Sequence, residues 1–287
     1  MTIDDLISRL ENLRLEWPNR WRGLSAVLTD CLACLDHEHL NGAQSLRHSL
    51  RYQRLRQAAE SMAEQVEAVH KAMAERQCEA AYHNRLHFAD TLHAMTALML
   101  ASRLDRMMID QAFVSVSARS EQEMLALLTM VIHDFHHDGR VNNIPMEMET
   151  RSVNCADPLL GTFELSTQDR NWITELIKHT DPATIEVNHQ AVRDLPFDLS
   201  DLRWMQVLVN EADVLTSTLP QFGNSLARAL ASEWAASHPD MARSVESPAG
   251  RLYFLEHIAL FSSPGSALLG LQASRHEQIN TLSMPRS

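Results

Sequence analysis

An all-helical fold is the first expectation for this chain, and two observations carry it. Glycine and proline number only 8 and 10 among 287 residues, and a 45% hydrophobic fraction is dominated by Leu, Ala and Met rather than by Val and Ile. That balance favours helix over strand. Apolar positions also recur at helical spacing, as in Leu6, Leu10 and Leu13 and again in Leu28, Leu32 and Leu35.

The elements follow in order. Residues 3–75 alternate apolar and charged positions, and Pro18 and the polar stretch from His37 to Gln44 divide them into three helices. This N-terminal helical region, 1–75, is read as a cap or dimerisation element ahead of a second unit, 76–287. Helical periodicity continues over 60–75, 87–116 and 121–135, where Leu125, Leu128, Val131 and Ile132 would face a core. Loops are expected at 138–146, 155–167, 181–200 and 238–250, where Gly, Pro, Asp, Asn and Ser gather. There is no internal repeat and no low-complexity tract.

A formal charge of -12 argues against a broad footprint on duplex nucleic acid, which Lys and Arg would have to supply. Small anionic substrates stay compatible with it if metal ions provide local positive charge. No apolar run reaches the roughly 18 residues of a membrane span, and Met1-Thr2-Ile3-Asp4-Asp5 lacks a basic-then-apolar signal, so a cytoplasmic protein without a membrane partner is expected. Cysteines 31, 34, 78 and 155 do not make a disulfide framework. Cys31 and Cys34 form a CxxC followed by Asp36, His37 and His39, but without a second CxxC they are better explained as two small residues on one helix face.

Two histidine-rich clusters carry the chemistry: Tyr82-His83-Asn84-Arg85-Leu86-His87, and His133-Asp134-Phe135-His136-His137-Asp138-Gly139. A third candidate is Asp213 in Asn210-Glu211-Ala212-Asp213. Imidazole and carboxylate are ligands that Zn, Mn, Fe and Mg share, so the clusters point to one metal site assembled from separate helices. His83 and His87, four apart, would share a helix face, and adjacent His133 and Asp134 would flank a metal between helices. The two oxygens of Asp134 allow it to bridge two cations.

This pattern resembles the HD superfamily of metal-dependent phosphohydrolases, and within it the catalytic domains of class I cyclic nucleotide phosphodiesterases. Their motif YHNxxHxxD stands here as Tyr82-His83-Asn84 with His87 and Asp90, and HDxxHxGxxN as His133-Asp134, His137, Gly139 and Asn142. Weaker matches are Thr180-Asp181, Ala212-Asp213 with Pro220, and Phe254, so that residues 80–262 are covered. The resemblance implies an HD-type, all-α helical bundle over 76–287. It makes His87, His133, Asp134 and Asp213 ligands of a tight metal, Zn or else Fe or Mn, with Asp134 also holding a weaker Mg or Mn. It further implies a phosphodiester cleaved by a hydroxide bridging the two ions, with His83 as the leaving-group acid and His137 and Asn142 orienting ligands or water. Tyr82 would shape the pocket.

Departures from the family pattern bear on specificity. Where the family places a purine-binding Gln three residues before the stacking Phe254, this chain has Arg251. An amide donates and accepts, whereas a guanidinium only donates, so Arg251 would meet a guanine carbonyl edge, a second phosphate or an intramolecular carboxylate. The family's Pro after the second-motif His is Asp138, Glu149 matches a metal-pocket acid, and no LExxH segment follows. The leading expectation is a phosphodiesterase that hydrolyses a small nucleotide substrate, a cyclic nucleotide or a related phosphodiester, with a homodimer as its expected assembly. The alternatives are another HD phosphohydrolase, acting on a nucleotide phosphomonoester or a linear phosphodiester, and a catalytically silent metal-binding sensor. His179 is expected to cap a helix C-terminus, His93 to be structural, His257 to be packed or at an interface, and the 14 Met residues, among them Met95, Met99, Met107 and Met108, to fill cores.

Overall fold

The computed structural model describes residues 1–39, 49–108 and 116–284, and these form 14 α-helices with no strand. The N-terminal third holds α1 (Ile3–Glu16), α2 (Leu24–His39) and α3 (Leu50–Glu75), and α4 (Arg85–Met108), α5 (Val116–Ile132) and α6 (Glu147–Leu160) follow. Next come α7 (Thr167–Lys178), α8 (Ile185–Ala191), α9 (Leu202–Thr218) and α10 (Gly223–Trp234). The C-terminal segment is α11 (Pro239–Glu246), α12 (Pro248–Tyr253), a π-turn over Phe254–Ile258, α13 (Pro264–Leu268) and α14 (Leu271–Ser283). The all-helical expectation is met.

Local chemistry sets many of the helix starts. Thr2 and Asp5 form a capping box at α1, the Thr2 hydroxyl accepting from the Asp5 N–H while the Asp5 carboxylate accepts from the Thr2 N–H. Ser49, Ser166, Asp201 and Ser247 likewise accept from backbone N–H groups at the first turns of α3, α7, α9 and α12.

Three helices form the interior. Every residue of α4 from His87 to Arg103 is buried, α5 is buried from Glu123 to its end, and α9 is buried from Trp204 through Thr218 except at Asp213. Helices enclosed on all sides occupy the centre of a bundle. Around them α1, α2 and α13 pack on α4, α3 and α7 on α5, and α8 and α10 on α9. One hydrophobic core runs from Leu6 and Leu28 through Leu55, Leu98 and Leu128 to Leu215 and Leu271, crossing residue 75, where α3 ends. Buried charges pin the layers together: Arg14 donates two bonds to Asp90, at 2.9 and 2.7 Å, and Arg103 grips Glu123 at 2.8 and 2.6 Å while donating to the Leu35 carbonyl.

Three of the four expected loops are corrected, and prolines explain why. The 155–167 stretch is helical to Leu160, with Pro158 inside the last turn and a 3-10 turn at Gly161–Phe163. The 181–200 stretch contains a 3-10 turn at Pro182–Thr184 followed by α8, and 238–250 contains α11 and the start of α12. Pro182, Pro239 and Pro248 each occupy a first helical turn, where a missing N–H costs nothing, so they start helices instead of breaking them. Only 138–146 is the expected connection. The break expected within 37–44 and the last residues of the expected 87–116 helix lie largely outside the described residues.

Candidate metal centre

The centre forms where the three interior helices meet. His87 stands in the first turn of α4, Asp213 in α9, and His133 and Asp134 in the turn that leaves α5. The helical geometry expected for two of these pairs is corrected. His83 precedes α4, because the Asn84 side chain accepts from the N–H groups of Leu86 and His87, at 2.9 and 3.3 Å, and so starts the helix between the two histidines. His133 and Asp134 likewise lie one and two residues past the end of α5, in a turn tightened by Phe135 N–H donating to the Ile132 carbonyl.

Four side chains nevertheless converge. The His87 Nε2 is 3.2 Å from both Asp134 Oδ2 and Asp213 Oδ1, and 3.3 Å from His133 Nε2, which lies 3.1 Å from Asp134 and 3.6 Å from Asp213. A divalent ion with bonds of ~2.1 Å has ligands ~3.0 Å apart in an octahedron and ~3.4 Å apart in a tetrahedron. These spacings therefore fit an ion at their centre. His133 Nδ1 sits 2.9 Å from the Met130 carbonyl, which fixes the proton there and turns the Nε2 lone pair inward, as a metal ligand requires.

The electrostatics agree with the geometry. Burial opposes charge on His87, but the two carboxylates outweigh it and raise the imidazole to about 9; they raise His133 well above its usual value too. Asp134 and Asp213 are held well down, burial being overcome by the two imidazoles. Such a cage favours a cation, and imidazole protons compete with a metal for it.

A second cluster shares Asp134. Ligand atoms of His83, Asp134 and His137 lie within 4.8 Å of one another, and the rings of His83 and His137 stack with centroids 3.8 Å apart. The Gly139 N–H donates to His137 Nδ1 at 3.1 Å, which leaves the proton on Nε2, and burial together with His83 lowers His137 to about 4, so the ring is neutral. Glu149, expected from its match to a metal-pocket acid, is only 9% exposed and is pushed up to about 7 by burial and by Asp181 and Asp134. Asn142 ties this side together, donating to Glu149 and Asp181 and accepting from the Met148 N–H. Its role here is to hold the neighbouring acids.

Glu233, on α10, was not anticipated. Its carboxylate accepts from His83 Nδ1 at 2.5 Å and from the backbone N–H groups of Tyr82 and His83. Burial alone would raise it, but His83 and these bonds bring it down to about 2. A Cβ at Gly139, where φ is +78°, would come within 2.8 Å of Glu233 Cγ, so the glycine of the second motif makes room for this acid. With 150 residues between Glu233 and His83, no local pattern marks the pair.

The remaining candidates face the protein itself. The Tyr82 hydroxyl bonds Ser217 Oγ at 2.9 Å, and its ring packs 4.8 Å from that of His87. Arg251 donates to the Ser217 and Thr218 carbonyls at the C-terminus of α9 and to Gln278 Oε1, at 2.6, 3.0 and 2.7 Å, with its guanidinium 5.3 Å from the Phe254 ring. The intramolecular partner is thus a helix end and not a carboxylate. Phe254 begins the π-turn and packs on the core. His179 ends α7 with Nδ1 on Asn188, and His93 is buried 3.6 Å from the Cys31 sulfur, both as expected. His257, in the π-turn, is 54% exposed and so is not packed in the interior of this chain. Cys31 is buried and Cys34 half-buried on α2, with no bond between them.

No family model matches the sequence, and no curated protein does. Among solved structures, the fold is similar to that of the Leishmania enzyme LmjPDEB1, a class I cyclic nucleotide phosphodiesterase whose structure is of its complex with IBMX. The TM-score is 0.60 at 15% identity, over 95% of this chain and 88% of that one. At that identity the likeness is one of fold. No described helix is long and apolar enough to cross a membrane.

Proposed function

We propose that this chain is a metal-dependent phosphodiesterase that hydrolyses a cyclic nucleotide or a related phosphodiester. The observation that carries the reading is the convergence of His87, His133, Asp134 and Asp213 beside a second cluster that shares Asp134 and contains His83. The fold likeness supports it.

His87, His133, Asp134 and Asp213 would hold the tighter ion, Zn or else Fe or Mn, and the free oxygen of Asp134 would reach a second, Mg or Mn. Two such cations supply positive charge against the phosphate and lower the pKa of coordinated water. The chain's own residues do the rest. Glu233 accepts the Nδ1 proton of His83, which leaves Nε2 to carry a proton to the departing oxygen. His137 offers its Nε2 proton to a phosphate oxygen from a ring locked by Gly139. Asn142 holds Glu149 and Asp181, two acids that would favour a second cation beside Asp134, and Tyr82 buttresses His87. A net charge of -12 is in keeping with a small nucleotide rather than a duplex.

A second reading, a phosphohydrolase of linear phosphodiesters or nucleotide monoesters, is favoured by one observation. Arg251 is committed to α9, so the position where the resemblance expects a purine-reading amide offers no donor–acceptor pair to a base. The test is turnover of purified, metal-loaded protein on cyclic mononucleotides, cyclic dinucleotides, linear diesters and monoesters. Cleavage of a cyclic substrate that Asp134→Ala abolishes is the expected result, and cleavage of linear diesters or monoesters alone would move the assignment to the second reading. A protein with its metal content verified that turns over none of them would end both.

A further inference from the structure

One turn beyond His87 on α4 stands another buried carboxylate, and its partner comes from the far end of the chain. Asp90 follows His87 by three residues, which places the two as neighbours on the helix surface, and it is 2% exposed. Arg14, in the last turn of α1, takes both of its oxygens, from Nη1 to Oδ1 at 2.9 Å and from Nη2 to Oδ2 at 2.7 Å. Nη1 also donates to the Leu10 carbonyl at 2.9 Å. Leu6, Leu10 and Leu13 bury the inner face of α1, so the guanidinium reaches Asp90 from an anchored helix.

Two features make this pair more than a brace. Arg14 Cζ stands 4.2 Å above the ring of Phe222, which is 5% exposed in the corner between α9 and α10. α9 carries Asp213 and α10 carries Glu233, so one guanidinium ties the His87 turn to the corner that joins the other two helices. A lysine would supply the charge but neither the fork nor the stacking. The Asp90 charge is also felt at His87 and at Tyr82. Burial opposes that charge, and the groups that offset it are Arg14 and His87. An imidazole that takes a metal ion gives up its proton, which leaves the offset to Arg14. For stability alone, an apolar pair of similar volume would serve as well as a buried ion pair.

We propose that Arg14 is a positioning residue of the metal centre, setting the His87 turn of α4, through Asp90 and Phe222, against the corner that follows Asp213. The N-terminal helix is then a working part of the site and not a separable cap. This role rests on the metal centre and is independent of the reaction run there.

The test uses the full chain, stripped with a chelator, shown to be folded by circular dichroism, and titrated with Zn against a chromophoric chelator. A parallel titration with Co reads ligand geometry from its visible absorption. Arg14→Met, which keeps the stem and drops the fork, should weaken Zn binding by roughly 10-fold or more, the scale for a residue that orients a metal ligand, and should shift the Co band. Asp90→Asn should weaken it comparably and the double variant no further, since both act through one pair. Ile7→Ala loosens the packing of α1 without touching Asp90 and should bind Zn as wild type does. Wild-type Zn affinity and Co spectrum in Arg14→Met would overturn the proposal and leave the pair a brace. So would additive losses in the double variant, or a loss in Ile7→Ala equal to that in Arg14→Met. A wild-type chain that binds no Zn would instead remove the centre itself, and this role with it.

Discussion

His83 and His87 are four positions apart but face different tasks, because Asn84 starts α4 between them. His87 points both carboxylate neighbours at one nitrogen, while His83 is turned toward Glu233. His83→Ala is therefore expected to keep its metal and lose roughly 100-fold or more in kcat, the scale of a positioned acid, whereas His87→Ala loses the metal. Elemental analysis beside kinetics separates the two, and an emptied site in His83→Ala would make His83 a ligand. Arg251 carries a different expectation from the one its sequence position suggests. Two of its three bonds cap α9 one turn after Asp213, so Arg251→Ala should cost about 1–3 kcal/mol by leaving the Ser217 carbonyl unmet, while the Thr218 carbonyl still accepts from Gln278. Denaturant unfolding measures this; unchanged stability with altered base preference would return Arg251 to substrate recognition.

The interior helices matter because each delivers a candidate ligand from a rigid base. α4 and α5 are locked by Arg103 and Glu123, 5% and 3% exposed, whose bidentate pair leaves no charge unmet. Removing one partner leaves the other buried alone, so Glu123→Ala is expected to destabilise by about 3–5 kcal/mol, read as a lower denaturant midpoint at unchanged slope. A loss under 1 kcal/mol would mean that water reaches Arg103. Helix starts were the least legible elements in the sequence. Proline and serine mark both loops and first turns, and only the cap geometry around Ser247 and Pro248 distinguishes the two.

Part of the acid-side pH dependence of stability follows from how the bundle buries two of its histidines. His93 and His189 are enclosed in sites that lower them from 6.5 to about 4, so between those values the unfolded chain binds protons that the folded chain does not. The contribution of these two residues is complete above pH 6.5 and falls as pH drops toward 4, each accounting for on the order of 3 kcal/mol. Unfolding free energy measured from pH 7 to pH 4 should show this slope, and His93→Gln should flatten it. A slope that the substitution leaves unchanged would locate the titration elsewhere.

Much of this protein is determined by sequence alone. The paucity of glycine and the 3.6-residue spacing of Leu, Ala and Met specify helices, since both act within a turn or two of the chain. The ligand candidates His87, His133, Asp134 and Asp213 are likewise legible, because imidazole and carboxylate in short clusters have few other reasons to recur. What needed the tertiary structure was every relation between residues distant in the chain. The spacing of four ligand atoms at 3.1–3.6 Å, the bond from Glu233 to a histidine 150 residues earlier, and the capture of Arg251 by α9 depend on how helices pack. Periodicity records which face of a helix is buried but not which helix covers it, and a side chain's partner is chosen by that cover.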